Sequence, residues 1–448
     1  MKRKEMCTPY LYFCVVTATL GGLLFGYHTA VISGALIYLI PAFQLSISEQ
    51  AFAVSMILLG ALAGSLVGGV LADRLGRKPA MLFTAVLFFL GSIVTALSSS
   101  YEMFLWGRFV SGVALGVITL VCPLYLAEIS PSSCRGAFVS LYQLAITIGI
   151  LGAFAVNFWF AEKGEWHWMF GCGALPAFIQ VVFLFFVAET PPFLFRHHKS
   201  KEAQQVLTRL RRDRAWETQL DAMKSSAHQN QKGKWKVLFE PQWRRVVVIG
   251  ILLSAFQQIT GINALIYYAP KIFQTAGFPS ADSAILATIG IGVVNVIATV
   301  FSVWLLDRAG RRFFLLLGAT GMVVGLVSFV LSSLATSTLV DLIALISLMV
   351  YVAFFAIGLG PVTWVVIAEI FPLKIRAKAM TFTTFVNWFC NYLVSLTFLE
   401  LVSLFGHRGT FLFYALICVG CIYFVYRCIP ETKGRSLEEI EAELGRLR

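Results

Sequence analysis

Charged residues are scarce in this sequence: Asp, Glu, Lys and Arg make up 13% of its 448 residues, against about 25% in soluble domains. No Ser/His/Asp or Cys/His grouping suggests a nucleophilic enzyme, and none of the nine cysteines falls in a cluster with histidine that could hold a metal. We therefore expect no enzymatic activity, no metal and no cofactor. The cysteines lie mostly in apolar blocks and are interpreted as small core residues.

Apolar residues dominate instead, at 58% of the chain, with 39 phenylalanines. They form blocks of about 20 residues separated by short polar segments, the length at which a helix crosses a hydrocarbon core of about 30 Å. A soluble fold could not bury so much apolar surface. The net charge of +12 comes from basic residues between the blocks, so it indicates membrane topology rather than nucleic-acid binding. The lipid bilayer is the expected solvent.

The spacing of the blocks predicts an all-α membrane protein of twelve transmembrane helices. The predicted spans are 11–40, 52–72, 79–97, 103–126, 138–161, 167–188, 244–275, 283–306, 313–334, 339–367, 379–403 and 409–429. If the N-terminus is cytoplasmic, 31 of the 35 basic residues lie in or beside cytoplasmic segments, which favours cytoplasmic termini.

Two turn motifs recur in the chain. The turn DRLGRK after span two matches DRAGRR after span eight, 234 residues later, and AEISPSSCRG after span four matches AEIFPLKIRA after span ten, offset by 241. The repeat predicts two pseudo-symmetric six-helix bundles, 1–188 and 244–429. A cytoplasmic helical linker, 189–243, joins them, and a tail helix, 430–448, begins with Ser436 as its capping residue.

The recurring turns bring opposite charges to corresponding places in both halves. Simple membrane anchoring explains the basic residues but not the acidic ones. We expect interhelical pairs that hold the cytoplasmic side closed and break when the halves rock. The predicted gate residues are Asp73, Arg74, Arg77, Glu128, Arg135, Asp307, Arg308, Arg311, Glu369 and Arg376.

Amides and indoles lie inside the spans. Gln258 and Asn263 would be about 140° apart on a regular helix, so they face one cavity only if the helix breaks at Thr260 and Gly261. Gly358, Gly360 and Pro361 predict a second break. Amides suit hydroxyl groups, and an indole suits the apolar face of a sugar ring. The predicted substrate-binding residues are Gln143, Gln257, Gln258, Asn263, Asn295, Trp364, Asn387, Trp388, Asn391 and Tyr268.

The chain resembles the sugar porter family of the major facilitator superfamily almost end to end, on the motifs GGLLFGY, DRLGRK, DRAGRR, QQITGINALIYY, GPVTW and PETKG. AETPPF is a departure from the PESP-type motif of the family. The resemblance implies sugar-binding roles for seven of the residues above: Gln143, Gln257, Gln258, Asn263, Asn295, Trp364 and Asn387. Ala356 stands where the animal glucose carriers have Glu. In this respect the chain resembles the bacterial branch of the family.

His28 departs from the family pattern. The resemblance implies that bacterial symporters of the family have an Asp at this position, which pairs with an Arg on span four. Arg108 matches that Arg. Animal uniporters have an Asn in place of the Asp. Burial beside a permanent cation favours a neutral imidazole. Three interpretations stay open: His28 is a polar residue of a uniporter, it titrates when water enters, or Arg108 snorkels outward and never meets it.

Together these features predict a carrier for a neutral hexose or pentose in a bacterial inner membrane, acting as a monomer by alternating access. We expect proton symport, with His28 and Arg108 as the coupling residues. The alternative is a facilitative uniporter. A non-transporting sugar sensor is a further alternative, but such sensors tend to have long cytoplasmic tails, and this tail is short.

Overall fold

The described structure is helical throughout. The computed structural model describes residues 7–131, 134–211, 237–238, 240–276, 278, 280–332, 340–372 and 375–433, without the side chains of 306–309 and 377. Within these ranges there is no strand, only one isolated bridge between Cys7 and Arg211. Most of the predicted linker and the predicted tail helix at Ser436 lie outside the described residues.

Seventeen helices are described. In the first half and the start of the linker they are α1 Pro9–Ala30, α2 Ile32–Phe43, α3 Ile47–Leu75, α4 Arg77–Ala96, α5 Tyr101–Ile129, α6 Arg135–Ala161, α7 Trp166–Gly171, α8 Ala174–Phe186, α9 Pro191–Arg196 and α10 Ser200–Leu210. In the second half they are α11 Pro241–Ile259, α12 Ile262–Ala276, α13 Ala281–Ala309, α14 Arg311–Ser332, α15 Val340–Ile357, α16 Leu359–Ile370 and α17 Arg376–Cys428. Helices α9 and α10 lie within the predicted linker, whose bounds and cytoplasmic position stay predictions.

Local capping explains where several helices begin. The Ser100 hydroxyl accepts a hydrogen bond from the backbone N–H of Met103 at the start of α5. Ser280 does the same for Ser283 at the start of α13, and the Ser283 hydroxyl completes a capping box. Pro241 occupies the first turn of α11, where its missing N–H would have no helical partner. Polar caps therefore separate apolar runs that could otherwise continue.

Eleven segments of the described chain are long and apolar enough to span a membrane. One of them, Lys378–Cys428, has 51 residues, which at about 1.5 Å per residue is more than twice the thickness of a hydrocarbon core. Gly406, with φ 67° and ψ 174°, breaks it into two helices, between the predicted spans 379–403 and 409–429. The structure thus confirms an all-α membrane protein with twelve spans.

Two further breaks lie where the sequence predicts them. Thr260 and Gly261 separate α11 from α12, and Gly261 has φ +91°. Gly358, with φ −104° and ψ −97°, separates α15 from α16. A Cβ at Gly358 would lie 2.7 Å from the Gly318 Cα, so α14 approaches this break too closely for a side chain. Each break frees main-chain groups that other residues can bind.

The described chain forms two compact units. Unit 1 contains Met1–His28, Gly60–Gly149 and Phe170–Lys232; unit 2 contains Thr29–Leu59, Ile150–Met169 and Gly233–Arg448. Unit 2 therefore combines the second half with two segments of the first half. Within it Lys271 Nζ donates a hydrogen bond of 2.6 Å to Gln50 Oε1. The bundle boundaries predicted at 188 and 244 stay a prediction.

We expect Gly261→Ala to destabilise the fold by about 2 kcal/mol, because an L-residue is strained at positive φ and its Cβ would lie 2.7 Å from the Tyr414 ring. The midpoint of thermal unfolding in detergent measures the loss. Gly152→Ala in α6 is the matched control, since its Cβ meets nothing within 4 Å; this variant should unfold at the parent temperature or above. An unchanged midpoint for Gly261→Ala would contradict the geometry.

Candidate functional site

Four predicted amides form one hydrogen-bonded cluster in unit 2, which we call the amide cluster: Gln257, Gln258, Asn263 and Asn387. Gln258 Nε2 donates to Asn387 Oδ1 at 3.0 Å, and Asn387 Nδ2 donates to Gln257 Oε1 at 2.7 Å. Asn263 Nδ2 donates to Gln258 Oε1 at 2.5 Å. Asn263 is half-buried and the other three are buried. Residues on α11, α12 and α17 thus meet through their side chains.

The two helix breaks place this cluster. The break at Gly261 allows Asn263 to meet Gln258, which a regular helix would prevent. Gln257 Nε2 donates to the carbonyls of Leu359 and Gly360, both at 2.9 Å, at the start of α16 just after the break at Gly358. The amides therefore hold the first turn of α16 against the end of α11.

The amide cluster retains unused hydrogen-bonding capacity. A primary amide has two N–H donors and a carbonyl oxygen with two lone pairs. In the described structure, Gln258 uses one N–H and Asn263 uses one N–H, while Asn263 Oδ1 bonds to no described residue. The cluster's other bonds go to main-chain carbonyls, and none goes to a charged side chain among the described residues. It therefore offers donors and acceptors to a neutral polar solute.

A second polar group lies one turn further along α17. Asn391 Nδ2 is 3.3 Å from the Tyr267 hydroxyl, and the Ser395 hydroxyl is 3.4 Å from Asn391 Oδ1. Tyr268 donates to the Ser395 carbonyl at 2.9 Å and stacks on Phe398 with ring centroids 5.0 Å apart. Tyr268 is fully buried in these contacts, which give it a packing role; its predicted contact with substrate stays a prediction.

The remaining predicted binding residues do not bond to the amide cluster. Asn295 is buried in α13, and its amide has no hydrogen-bond partner in the described part of the chain. Trp388 is buried on α17 and Trp364 is half-buried on α16. Gln143 is half-buried on α6 in unit 1. The substrate contacts of these four residues stay predictions.

His28 and Arg108 are brought together in unit 1. Arg108 Nη1 donates a hydrogen bond of 2.7 Å to the main-chain carbonyl of His28, and its guanidinium carbon lies 5.5 Å from the centroid of the Phe170 ring. The His28 imidazole stacks on Phe88 at 4.8 Å, with Nε2 3.3 Å from the Ser92 hydroxyl. His28 is 2% exposed and Arg108 1%. The interpretation that Arg108 snorkels outward is therefore wrong.

Charged residues of unit 1 form a junction at the start of α4. Arg77 Nη2 lies 2.9 Å from Glu128 Oε1, and the Thr190 hydroxyl donates to Glu128 Oε2 at 2.5 Å. The Glu189 carboxylate accepts hydrogen bonds from the backbone N–H groups of Arg77 and Lys78, where the helix dipole favours a negative charge. Burial raises the pKa of the Glu189 carboxyl, and these N–H donors and Arg77 act in the opposite direction.

Unit 2 contains the same junction at the start of α14. Arg311 Nη2 lies 3.1 Å from Glu369 Oε1, and the Thr432 hydroxyl donates to Glu369 Oε2 at 2.5 Å. Glu431 accepts from the backbone N–H groups of Arg311 and Arg312 at 2.9 and 3.2 Å. The sequence patterns did not indicate these roles for Glu189 with Thr190 or for Glu431 with Thr432. The sequence feature that could have indicated them is the repeat of AET at 188–190 as PET at 430–432.

The other predicted gate residues are placed less tightly. Asp73 is exposed and lies 3.4 Å from Arg77. Arg74 and Arg135 are exposed, and Arg376 Nε donates to the Phe371 carbonyl at 3.0 Å. The side chains of Asp307 and Arg308 lie outside the described residues. Each described ion pair among gate residues lies within a single unit. The role of these pairs in closing a gate stays a prediction.

The family model described as "Sugar (and other) transporter" matches residues 13–444. The chain belongs to this sugar transporter family. It is 39% identical to a D-xylose transporter of Levilactobacillus brevis, over 98% of this chain and 96% of that protein. It is 37% identical to a galactose-proton symporter of Escherichia coli K12, over 97% and 94% of the two chains. Its family is thus one of transporters.

Solved structures of similar proteins place this transporter in the major facilitator superfamily fold. One is the proton:xylose symporter XylE of that superfamily bound to 6-bromo-6-deoxy-D-glucose. It matches with a TM-score of 0.83 at 34% identity, over 97% of this chain and 99% of that one. A partially occluded inward-open form of XylE from E. coli matches with a TM-score of 0.83 at 31% identity, over 96% and 100%. The sugar porter resemblance seen in the motifs is confirmed.

We expect Asn387→Leu to destabilise this transporter by about 1–3 kcal/mol, because the change leaves Gln257, Gln258 and the Ser254 carbonyl each short of a buried partner. Thermal unfolding in detergent without sugar measures it. Asn295→Leu is the matched control, because no described residue bonds to the Asn295 amide, and it should unfold near the parent temperature. Equal losses in both variants would show that the amide cluster contributes nothing specific.

Proposed function

We propose that this sugar transporter moves a neutral monosaccharide, a hexose or pentose, together with protons across a bacterial inner membrane. The observation that carries the proposal is the amide cluster: uncharged donors and acceptors between spans, bonded to one another and to main-chain carbonyls. Relatives named for D-xylose transport, galactose-proton symport and arabinose-proton symport support the sugar and the proton alike. They favour symport over the uniporter alternative.

Hydroxyl groups are the chemistry that such a cluster accepts. Each hydroxyl both donates and accepts, so it can insert between two amides and keep both paired. Asn263 Oδ1 and the second N–H of Gln258 are the first groups available to it. Asn295, whose amide has no partner in the described part of the chain, and the half-buried Trp364 supply further contacts in this proposal.

Alternating access requires that one side of the pathway closes while the other opens. In unit 2, the Lys271 to Gln50 bond joins a span of the second half to a span of the first. We propose that this packing closes the outer side, and that the junctions around Arg77 and Arg311 orient the turns that close the inner side. Both termini are then cytoplasmic, and the transporter works as a monomer.

Proton coupling falls to His28 in this proposal. Arg108 bonds to the main-chain carbonyl of His28 rather than to its imidazole. The ring nitrogen beside Ser92 is thus left to exchange a proton when the pathway hydrates. Arg108 is a positioning residue here, because it fixes the main chain that carries the imidazole.

We expect the purified transporter to bind at least one of glucose, galactose, xylose, arabinose and fructose, and Gln258→Ala to weaken that binding by about tenfold or more, because the lost hydrogen bonds leave sugar hydroxyls unpaired. Isothermal titration measures both. Gln180→Ala, a buried amide on α8 bonded to the Thr17 carbonyl, is the control and should bind as the parent does. If none of the five sugars binds to the parent, the substrate class is wrong.

We expect sugar added to de-energised cells to alkalinise the medium, because each sugar enters with a proton. His28→Asn should abolish the pH change and keep sugar counterflow, since Asn cannot titrate. His407→Asn is the matched control, a histidine in unit 2, and should keep the pH change. Uptake by the parent without alkalinisation would mean a uniporter, and alkalinisation by His28→Asn would place the proton site elsewhere.

A further inference from the structure

A groove of about 400 Å³ lies between the first turns of α11 and the last turns of α17. Arg244 and Arg245 line it at one end, and apolar side chains continue it: Val248 and Leu252 from α11, Phe424 and Cys428 from α17. Both helices belong to membrane-spanning segments, Pro241–Thr275 and Lys378–Cys428. Val248 and Leu252 are exposed, so the groove lies at the surface of these spans, and none of its lining residues belongs to the amide cluster.

The charged end of the groove is built from cations that the described chain leaves unpaired. Arg244 and Arg245 are both exposed, and neither side chain forms an ion pair or hydrogen bond with another described residue. Arg427 adds a further exposed cation in the last turn of α17. Arginine binds phosphate through several N–H donors in a planar arrangement. An anionic group is the natural complement of this end.

The apolar part of the groove runs along the helix axis, away from the charged end. Arg244, Val248 and Leu252 are spaced by four residues, so they lie on one face of α11. Leu252 is about 12 Å deeper along the helix than Arg244, at about 1.5 Å per residue. Phe424 and Cys428, also four residues apart, form the facing wall. A soluble anion would leave this surface without a partner.

We propose that this groove is a binding site for an anionic phospholipid. Its phosphate binds to Arg244 and Arg245, and one acyl chain lies along Val248 and Leu252 against Phe424. The site lies at the end of two spans, the depth at which phospholipid headgroups meet a membrane protein, and basic pockets between spans are a recurring form of headgroup site. The bound lipid links the first span of the second half to the last.

The test measures retention of phosphatidylglycerol by the purified full-length transporter in detergent, using native mass spectrometry with phosphatidylcholine as the zwitterionic comparison. The parent should bind phosphatidylglycerol at least about tenfold more tightly than phosphatidylcholine, because each arginine near the headgroup adds attraction. Arg244→Gln with Arg245→Gln should remove the preference. Arg196→Gln with Arg209→Gln, the same charge change at exposed arginines of α9 and α10, should keep it.

A second variant separates the groove from charge alone. Val248→Trp fills the groove at an exposed position and keeps both arginines, so it should weaken phosphatidylglycerol binding by several-fold. Three results would overturn the proposal: equal retention of the two lipids by the parent, equal loss in the control double variant, or full displacement of phosphatidylglycerol by inorganic phosphate at millimolar concentration. The last would identify a site for a soluble phosphate.

Discussion

Pairing of buried amides is the interaction on which this structure depends. Inside a membrane-spanning bundle no bulk water is present to satisfy an amide, so each N–H and C=O must find a partner or face a cavity. Gln257 meets this requirement by binding the carbonyls at the start of α16, and Gln258 and Asn387 meet it through one another. The same bonds fix α11, α16 and α17 together. The proposed site for hydroxyl groups and the packing of the second half thus have a common origin.

The same junction of charged residues occurs once in each unit. In each unit an arginine at a helix start pairs with a glutamate, a threonine donates to that glutamate, and a further glutamate caps the same helix start. Each junction therefore joins parts of one unit. Rigid turns of this kind suit the alternating access proposed for this transporter.

Sequence patterns predicted the elements but not their side-chain partners. The twelve spans and the breaks at Gly261 and Gly358 follow from local rules of length and backbone freedom, which act within one segment. The pairing of Asn387 with both Gln257 and Gln258 depends on helix rotation, which chain order does not contain. For the same reason the sequence did not show that the Tyr268 hydroxyl bonds to the Ser395 carbonyl or that Ser92 lies beside the His28 imidazole.

In the proposed transport cycle the amide cluster opens to bind a polyol ring. A structure of the transporter with a bound monosaccharide tests it most directly. We expect sugar hydroxyls about 3 Å from Gln258 Nε2 and Asn263 Oδ1, with at least one amide-to-amide bond of the cluster replaced by bonds to the sugar. A sugar bound elsewhere, with the bonds among Gln257, Gln258 and Asn387 unchanged, would contradict it.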